Sequence, residues 1–243
     1  MEIKFMDIPN GPGREELDLI LSFLPKISFE SGIYLAGGAV RRLAQGQSLI
    51  DGDLDFFFRK LNPSRLFEDE FKDHLDPPFV SSRAVTYKVP MGENEFKIQI
   101  IRRMFYKDLE SLFNDFDFTV CQFATDGEKI AYTDQSLSDL RSNTLSFNRD
   151  KILDSRTLPM RFAKYVRYGF IPEPHMFTEV VKKGLTQSTR YIFSSASWAI
   201  KNSDMTSSNY CESEDELVFC DDADEFESKS DDTELIQDKT NDQ

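Results

Sequence analysis

Apolar residues recur at two different spacings along the first 190 residues. Leu17, Ile20, Leu21 and Leu24 follow the three-to-four-residue spacing of one helix face, and Pro25 ends that pattern. Shorter apolar runs bounded by turn residues are typical of strands. We predict helices at residues 14–25, 39–45, 62–74, 106–113, 134–141, 156–168 and 175–185, and strands at 33–36, 53–58, 83–89, 95–101, 116–124 and 130–132. This mixture predicts an α/β (α+β) fold.

A diglycine turn follows one predicted strand, and the next predicted strand begins with a pair of acids. Gly37 and Gly38 end one strand and open a short helix, and the next strand begins with Asp53 and Asp55. Residues two apart on a strand project from the same face, so the two carboxylates should lie side by side. Adjacent carboxylates repel each other, and a hard divalent cation such as magnesium relieves that repulsion. Glycine leaves the backbone N–H groups of the turn open to a phosphate. The pattern therefore predicts a site for metal and nucleotide.

Charge divides the chain into unequal parts. The net charge is −14, but residues 201–243 hold 15 acidic residues against 3 lysines, and residues 141–190 hold 10 Lys and Arg against 4 acids. The acidic stretch is rich in Ser, Asp, Glu and Thr and cannot bury enough apolar surface to fold. We therefore predict a folded segment at 1–142, a partly basic helical extension at 143–200 and a disordered acidic tail at 201–243. A basic segment beside a metal site suits phosphate-rich partners.

Several protein classes do not fit this sequence. No apolar run is long enough to span a membrane, and the charged residues at the N-terminus are not those of a signal peptide. The three cysteines cannot pair completely and form no CxxC motif. We expect a protein of a reducing, cytoplasmic compartment with no membrane partner.

Three stretches, in order, carry a resemblance to a known family. The first is Gly37-Gly38-Ala39-Val40-Arg41-Arg42 followed by Asp53-Leu54-Asp55; the second is Asp117-Phe118-Thr119; the third is Arg161-Phe162-Ala163 with Gly169-Phe170. Together they resemble motifs of the polymerase-beta superfamily of nucleotidyltransferases, in particular the head domain of CCA-adding enzymes and poly(A) polymerases. The resemblance covers roughly residues 31–172 and implies a nucleotidyltransferase-like mixed sheet flanked by helices, with residues 1–142 as the head domain.

The resemblance also implies an activity. A hydroxyl, most simply at a tRNA-like RNA 3′ end, would attack the α-phosphorus of a nucleoside triphosphate such as ATP, and pyrophosphate would leave. Asp53 and Asp55 would be the catalytic residues and the ligands of two magnesium ions. The residues implied in nucleotide binding are Gly37, Gly38, Arg41, Asp117 and Arg161.

The chain departs from the family pattern at several positions. Arg42 replaces an acid, the two arginines that precede Asp117 in the family are missing, and Cys121 stands where the family has asparagine. The element that templates the incoming base is not recognisable, because Asp154 and Arg156 have the wrong spacing. Triphosphate contacts must therefore come from other residues.

A third carboxylate often completes such sites on a neighbouring strand. The best-placed residue in the strand at 95–101 is Gln99, a neutral amide, and Asp117 is the alternative. A calcium loop at Asp51, Asp53 and Asp55 is excluded, because Phe56 and Asn62 stand where that loop needs Gly and Glu.

Other functions fit the same residues. The chain could be a non-catalytic module that binds nucleotide or RNA, or a toxin-like enzyme that modifies a protein. The acidic tail could contact a partner protein or the chain's own basic segment. At the level of residues, Asp53 and Asp55 could be surface acids, Asp117 a hydrogen-bonded structural acid, and Arg156, Arg161 and Arg167 part of a salt-bridged helix face.

Overall fold

A computed structural model describes residues 1–50, 52–61, 64–65, 67, 78–81, 83–91, 94–148 and 158–186, all within the compact unit Met1–Ile192. The strands are β1 Lys4–Asp7, β2 Ile33–Ala36, β3 Asp53–Phe58, β4 Phe79–Val80, β5 Ala84–Met91, β6 Asn94–Phe105, β7 Phe123–Thr125, β8 Lys129–Tyr132, β9 Thr144–Leu145 and β10 Ile171–Pro172. The helices are α1 Pro12–Leu21, α2 Gly38–Ala44, α3 Leu109–Asp115, α4 Asp134–Ser142, α5 Leu158–Arg167 and α6 Pro174–Thr186.

One mixed sheet organises the described part of the chain. Its strand order is β1-β8-β7-β2-β3-β6-β5-β4, in which β3 and β6 run parallel and the other neighbours run antiparallel. The short strands β9 and β10 form a separate parallel pair, which joins the segment after α4 to the segment after α5. The predicted mixed sheet flanked by helices is confirmed.

Apolar side chains cover both faces of this sheet. On one face Leu35, Leu54 and Ile98 are fully buried in a cluster that includes residues of α1, α2 and α5. On the other face Tyr34 and Phe57 pack with the apolar side of α3. The burial of this much apolar surface, at about 25 cal/mol per Å², is the main force that holds the strands in register.

Strands β2 and β3 have the predicted bounds, because each is a short apolar run closed by turn residues. The strand predicted at 116–124 is wrong over most of its length. Residues Thr119–Cys121 form a 3-10 turn, and only Phe123–Thr125 joins the sheet. The backbone N–H of Thr119 instead donates to the carbonyl of Ser146 at 3.1 Å. A segment distant in sequence therefore supplies a backbone hydrogen-bond partner that a neighbouring strand would otherwise provide.

Four short strands were not predicted from the sequence, namely β1, β4, β9 and β10. Strand β1 pairs with β8 at the end of the sheet, where its alternate side chains are exposed and give little apolar signal. The β9–β10 pair has two residues in each strand. Some predictions concern residues that the structure does not describe. These are most of the helix at 62–74, the residues Asp51, Asp154 and Arg156, and the acidic tail at 201–243.

Candidate metal and nucleotide site

The two acids lie at the start of β3, on the same face of the sheet. The register places Asp55 opposite Ala36 of β2 and opposite Gln99 of β6, and it places Asp53 opposite Lys97. Leu54 between them is fully buried on the opposite face, whereas both aspartates are half-buried. The alternation of β3 therefore brings the carboxyl groups side by side, and the neutral Gln99 occupies the adjacent position on β6.

The diglycine turn lies directly beside Asp55. Gly37 has φ 85° and ψ −140°, a conformation that glycine adopts far more readily than residues with a side chain, and its N–H donates to the carbonyl of Phe123 at 2.8 Å. A Cβ atom at Gly37 would lie 4.0 Å from Oδ2 of Asp55 and 3.8 Å from the ring of Phe116. A side chain at position 37 would therefore project into the space beside Asp55 and Phe116.

Replacement of Gly37 by alanine is expected to destabilise the fold by about 2 kcal/mol, because a φ of 85° with a ψ of −140° is a backbone conformation that residues with a side chain rarely adopt. Thermal unfolding measures the loss. Gly46→Ala is the matched control, since Gly46 also has positive φ (68°) but lies at the C-terminal end of α2. That control should lose about 1 kcal/mol. Equal losses would show that Gly37 has no special conformational role.

The carboxyl group of Asp55 has an unusual acidity. Burial, followed by the neighbouring charge of Asp53, raises the pKa of Asp55 from 3.8 to about 7, although Lys164 and Arg42 oppose the rise. A cation bound beside the two carboxylates would relieve both costs. Asp53 and Asp55 supply hard oxygen ligands, and their chemistry therefore fits a divalent ion such as magnesium.

The raised pKa of Asp55 predicts a pH-dependent stability. Because Asp55 takes up its proton at higher pH in the folded state than in the unfolded chain, the folded state binds more protons between about pH 4 and pH 7. Stability should fall as pH rises through that window and level off above it. Asp55→Asn removes this contribution, so its melting temperature relative to the wild type should rise from pH 4.5 to pH 8. A difference that is constant over this range would contradict the raised pKa.

Arg41 lies away from open solvent. Its guanidinium is centred 5.4, 5.3 and 5.1 Å from the rings of Tyr165, Tyr168 and Phe170, and the residue is 5% exposed. We call these three rings the aromatic cage. The cation–π contacts join α2 to α5 and to the segment that follows it. The predicted contact of Arg41 with nucleotide stays a prediction, and its observed contacts are with the aromatic cage.

Asp117 and Arg161 are brought together as an ion pair. Oδ2 of Asp117 contacts Nη1 of Arg161, and the side chain of Asp117 is 3% exposed whereas that of Arg161 is 42% exposed. Nearby, the sulfur of Cys121 lies 2.9 Å from the hydroxyl of Tyr165, and burial raises the pKa of the Cys121 thiol. The Tyr165 hydroxyl also lies 4.0 Å from the position that a Cβ of Gly38 would occupy. Helix α5 is therefore fixed against the diglycine turn.

Two cationic side chains of the site were not predicted as functional from the sequence. Lys164 and Arg42 both act electrostatically on Asp55. The sequence does indicate that Lys164 shares a helix face with residues of the third motif region. The spacing of one helix face is followed by Arg161, Lys164, Tyr165 and Tyr168. Within the described part of the chain, no cluster of three or more His, Cys, Asp or Glu residues has the geometry of a metal site. A metal ion here would depend on Asp53 and Asp55.

No helix in the described ranges combines the length and apolarity that a membrane span requires.

The solved structures that this fold resembles include three of CCA-adding enzymes. A complex with ATP matches with a TM-score of 0.60 and 17% identity over 80% of this chain and 51% of that chain. A complex with CTP matches with a TM-score of 0.55 and 17% identity, over 80% and 49% of the two chains. The Thermotoga maritima enzyme in complex with tRNA matches with a TM-score of 0.54 and 19% identity, over 80% and 50%. At these identities the likeness shows the fold, and it confirms the nucleotidyltransferase-like architecture expected from the motifs.

Sequence comparisons point to a more specific family. Residues 14–143 match the model of the Gabija anti-defense 2 family. A curated relative, Gabija anti-defense 2 of Bacillus phage SPbetaL7, is 32% identical over 120 residues, which cover 49% of this chain and 27% of that protein. The match thus spans about a quarter of the curated relative and about half of the solved enzymes. The motifs had not predicted an anti-defense family.

Proposed function

The chain belongs to the Gabija anti-defense 2 family, and we propose that it is a magnesium-dependent nucleotidyltransferase. The single observation that carries this proposal is the pair Asp53 and Asp55, placed on one face of β3 with Oδ2 of Asp55 beside the Gly37 turn. A module that only binds nucleic acid has no need of two adjacent, partly buried carboxylates. The likeness of the fold to CCA-adding enzymes supports the same reaction class.

The proposed reaction joins a nucleotide to a hydroxyl group. The acceptor oxygen attacks the α-phosphorus of a nucleoside triphosphate, the bond from that phosphorus to the bridging oxygen breaks, and pyrophosphate leaves while the hydroxyl loses its proton. Asp53 and Asp55 would hold two magnesium ions, which supply charge neutralisation for the attacking and leaving oxygens. The open backbone at Gly37 and Gly38 leaves room for the triphosphate.

An RNA 3′ end in the cytoplasm is the first candidate acceptor, because one of the similar structures is a complex with tRNA. A protein side chain is the second. The membership of an anti-defense family favours it, since a transferred nucleotide could inactivate a component of a defense system. Both acceptors present a hydroxyl, so the same chemistry serves either.

The test is transfer of label from each of the four nucleoside triphosphates, labelled at the α-phosphate, in the presence of magnesium. Total RNA and total protein from a bacterial host serve as separate acceptors, and ribonuclease or protease treatment identifies which one carries the label. We expect label on one acceptor with one preferred base, and no label when the metal is chelated. Absence of label on both acceptors, together with nucleotide binding that needs no metal, would favour the non-catalytic module.

A further inference from the structure

Arg42 lies in the last turn of α2. A Cβ atom at Gly52 would lie 2.1 Å from Nη2 and 2.3 Å from Nη1 of Arg42, so the guanidinium occupies the space that a side chain at position 52 would need. Gly52 immediately precedes Asp53 in the chain. The absence of a side chain at Gly52 therefore places a permanent positive charge next to the start of β3.

The loop around this guanidinium is fixed by hydrogen bonds. Nη2 of Arg42 donates to the carbonyl of Leu49 at 3.3 Å, and the N–H of Leu49 donates to the carboxylate of Glu16. The hydroxyl of Ser48 donates to the same carboxylate at 2.8 Å. Helix α1, which contains Glu16, thus holds the loop between α2 and β3, and the loop in turn holds Arg42. A charge fixed in this way loses little conformational entropy when it binds a ligand.

Lys164 supplies a second cation from a different element. It lies on α5, where its side chain is exposed and its ammonium lies 5.9 Å from the ring centroid of Tyr168. The Asp117–Arg161 ion pair and the contact between Cys121 and Tyr165 hold α5 against the core. The hydroxyl of Tyr165, the residue after Lys164, lies 4.0 Å from the position that a Cβ of Gly38 would occupy, so α5 carries Lys164 to the diglycine turn while α2 carries Arg42 to the start of β3.

A bound triphosphate requires positively charged side chains beside it. At neutral pH it carries about four negative charges, and these must be held beside two carboxylates even when magnesium is present. Of the arginines that the resemblance implies in nucleotide binding, Arg41 is surrounded by the aromatic cage and Arg161 pairs with the buried Asp117. The positions just before Asp117 hold Asp115 and Phe116 and provide no positive charge.

We propose that Arg42, placed by Gly52, and Lys164 together bind the polyphosphate chain of the incoming nucleotide. This inference rests on the proposed function. It assigns the triphosphate contact to Arg42, a motif position at which the chain departs from the family, and to Lys164, which lies outside the motifs. Arg42 stands at the position where those motifs have an acid, so the substitution adds a cation at the place where a polyphosphate needs one.

Equilibrium binding of ATP and of AMP to the full chain, by calorimetry in magnesium, tests the pair. Arg42→Ala and Lys164→Ala should each weaken ATP binding by about tenfold or more, because each removes a charge-assisted contact. Binding of AMP, which lacks the β- and γ-phosphates, should change less than threefold. Arg141→Ala is the matched control, since Arg141 lies in the last turn of α4 and is exposed. It should leave both affinities unchanged.

Gly52→Ala separates the position of the charge from its presence. The new methyl group displaces the end of a flexible side chain, so the fold should be retained while ATP binding falls about as far as in Arg42→Ala. The double variant should be no weaker than Arg42→Ala alone, since both changes act through one contact. Arg42→Lys should bind ATP more tightly than Arg42→Ala does, because it keeps a positive charge at this position.

The outcomes distinguish this inference from the proposed function. If the wild type transfers label but Arg42→Ala and Lys164→Ala bind ATP as tightly as it does, the inference is wrong and the proposed function stands. Equal losses of ATP and AMP would also overturn it, because the contact would then not be with the polyphosphate. If the wild type neither binds ATP nor transfers label, both proposals fail.

Discussion

Replacement of Asp53 or Asp55 by asparagine is expected to reduce nucleotide transfer by roughly a thousandfold or more. Each change keeps the shape of the side chain and removes one of the two negative charges that would hold the metal ions. The measurement is the rate of label transfer at saturating magnesium and nucleoside triphosphate. Glu128→Gln is the matched control, because Glu128 is an exposed acid in the turn before β8 and its loss should leave the rate unchanged.

The same variants should remain folded. Both aspartates are half-buried and lie close together, so the loss of one charge relieves repulsion, and the melting temperature should stay within a few degrees of the wild type or rise. A variant that unfolds at room temperature would show that the acids serve the fold. A variant that is folded and transfers label at the wild-type rate would remove Asp53 and Asp55 from the mechanism.

The centre of the site could be predicted from the sequence because its geometry is local. The period of a strand places Asp53 and Asp55 on one face, and two glycines between an apolar run and a helix define the turn. The structure has both features, with β2 and β3 at the predicted bounds. Strand period and turn chemistry act over a few residues, and a single sequence contains that information.

The surroundings of the site depend on contacts between distant residues. Lys164 is more than 100 positions from Asp55 in the chain, and only the packing of α5 brings the two charges together. The stretch after Phe116 has the apolar composition of a strand. It forms a 3-10 turn because Thr119 and Asn148 make hydrogen bonds between this region and the segment after α4. No local pattern encodes such a choice of partner.

The aromatic cage around Arg41 illustrates the same limit. The motif predicts an arginine at this position, and an arginine beside a phosphate site suggests a phosphate contact. The guanidinium is enclosed by the rings of Tyr165, Tyr168 and Phe170, which lie more than 120 positions later in the chain. Residue type alone could not distinguish a charge that binds ligand from one that joins two helices.

Arg161→Ala is expected to destabilise the fold by about 3 kcal/mol, the lower end of the cost of breaking a buried ion pair, because Arg161 is itself partly exposed. Asp117 would keep its negative charge in a buried position without this partner. For a domain of this size the loss lowers the melting temperature by roughly 10 °C, which thermal unfolding followed by circular dichroism measures. Arg167→Ala, on the same helix and exposed, is the control and should change stability little.

A second substitution identifies the role of the pair. Asp117→Asn in the Arg161→Ala background removes the buried charge, so it should recover a large part of the lost stability if the pair is structural. A nucleotide-binding role predicts the opposite pattern, in which Arg161→Ala keeps the wild-type melting temperature and weakens ATP binding. The structure favours the first result, because Asp117 is almost fully buried and the ion pair joins it to α5, the helix that contains both Lys164 and Tyr165. Loss of the pair should then also impair transfer indirectly, through the position of α5.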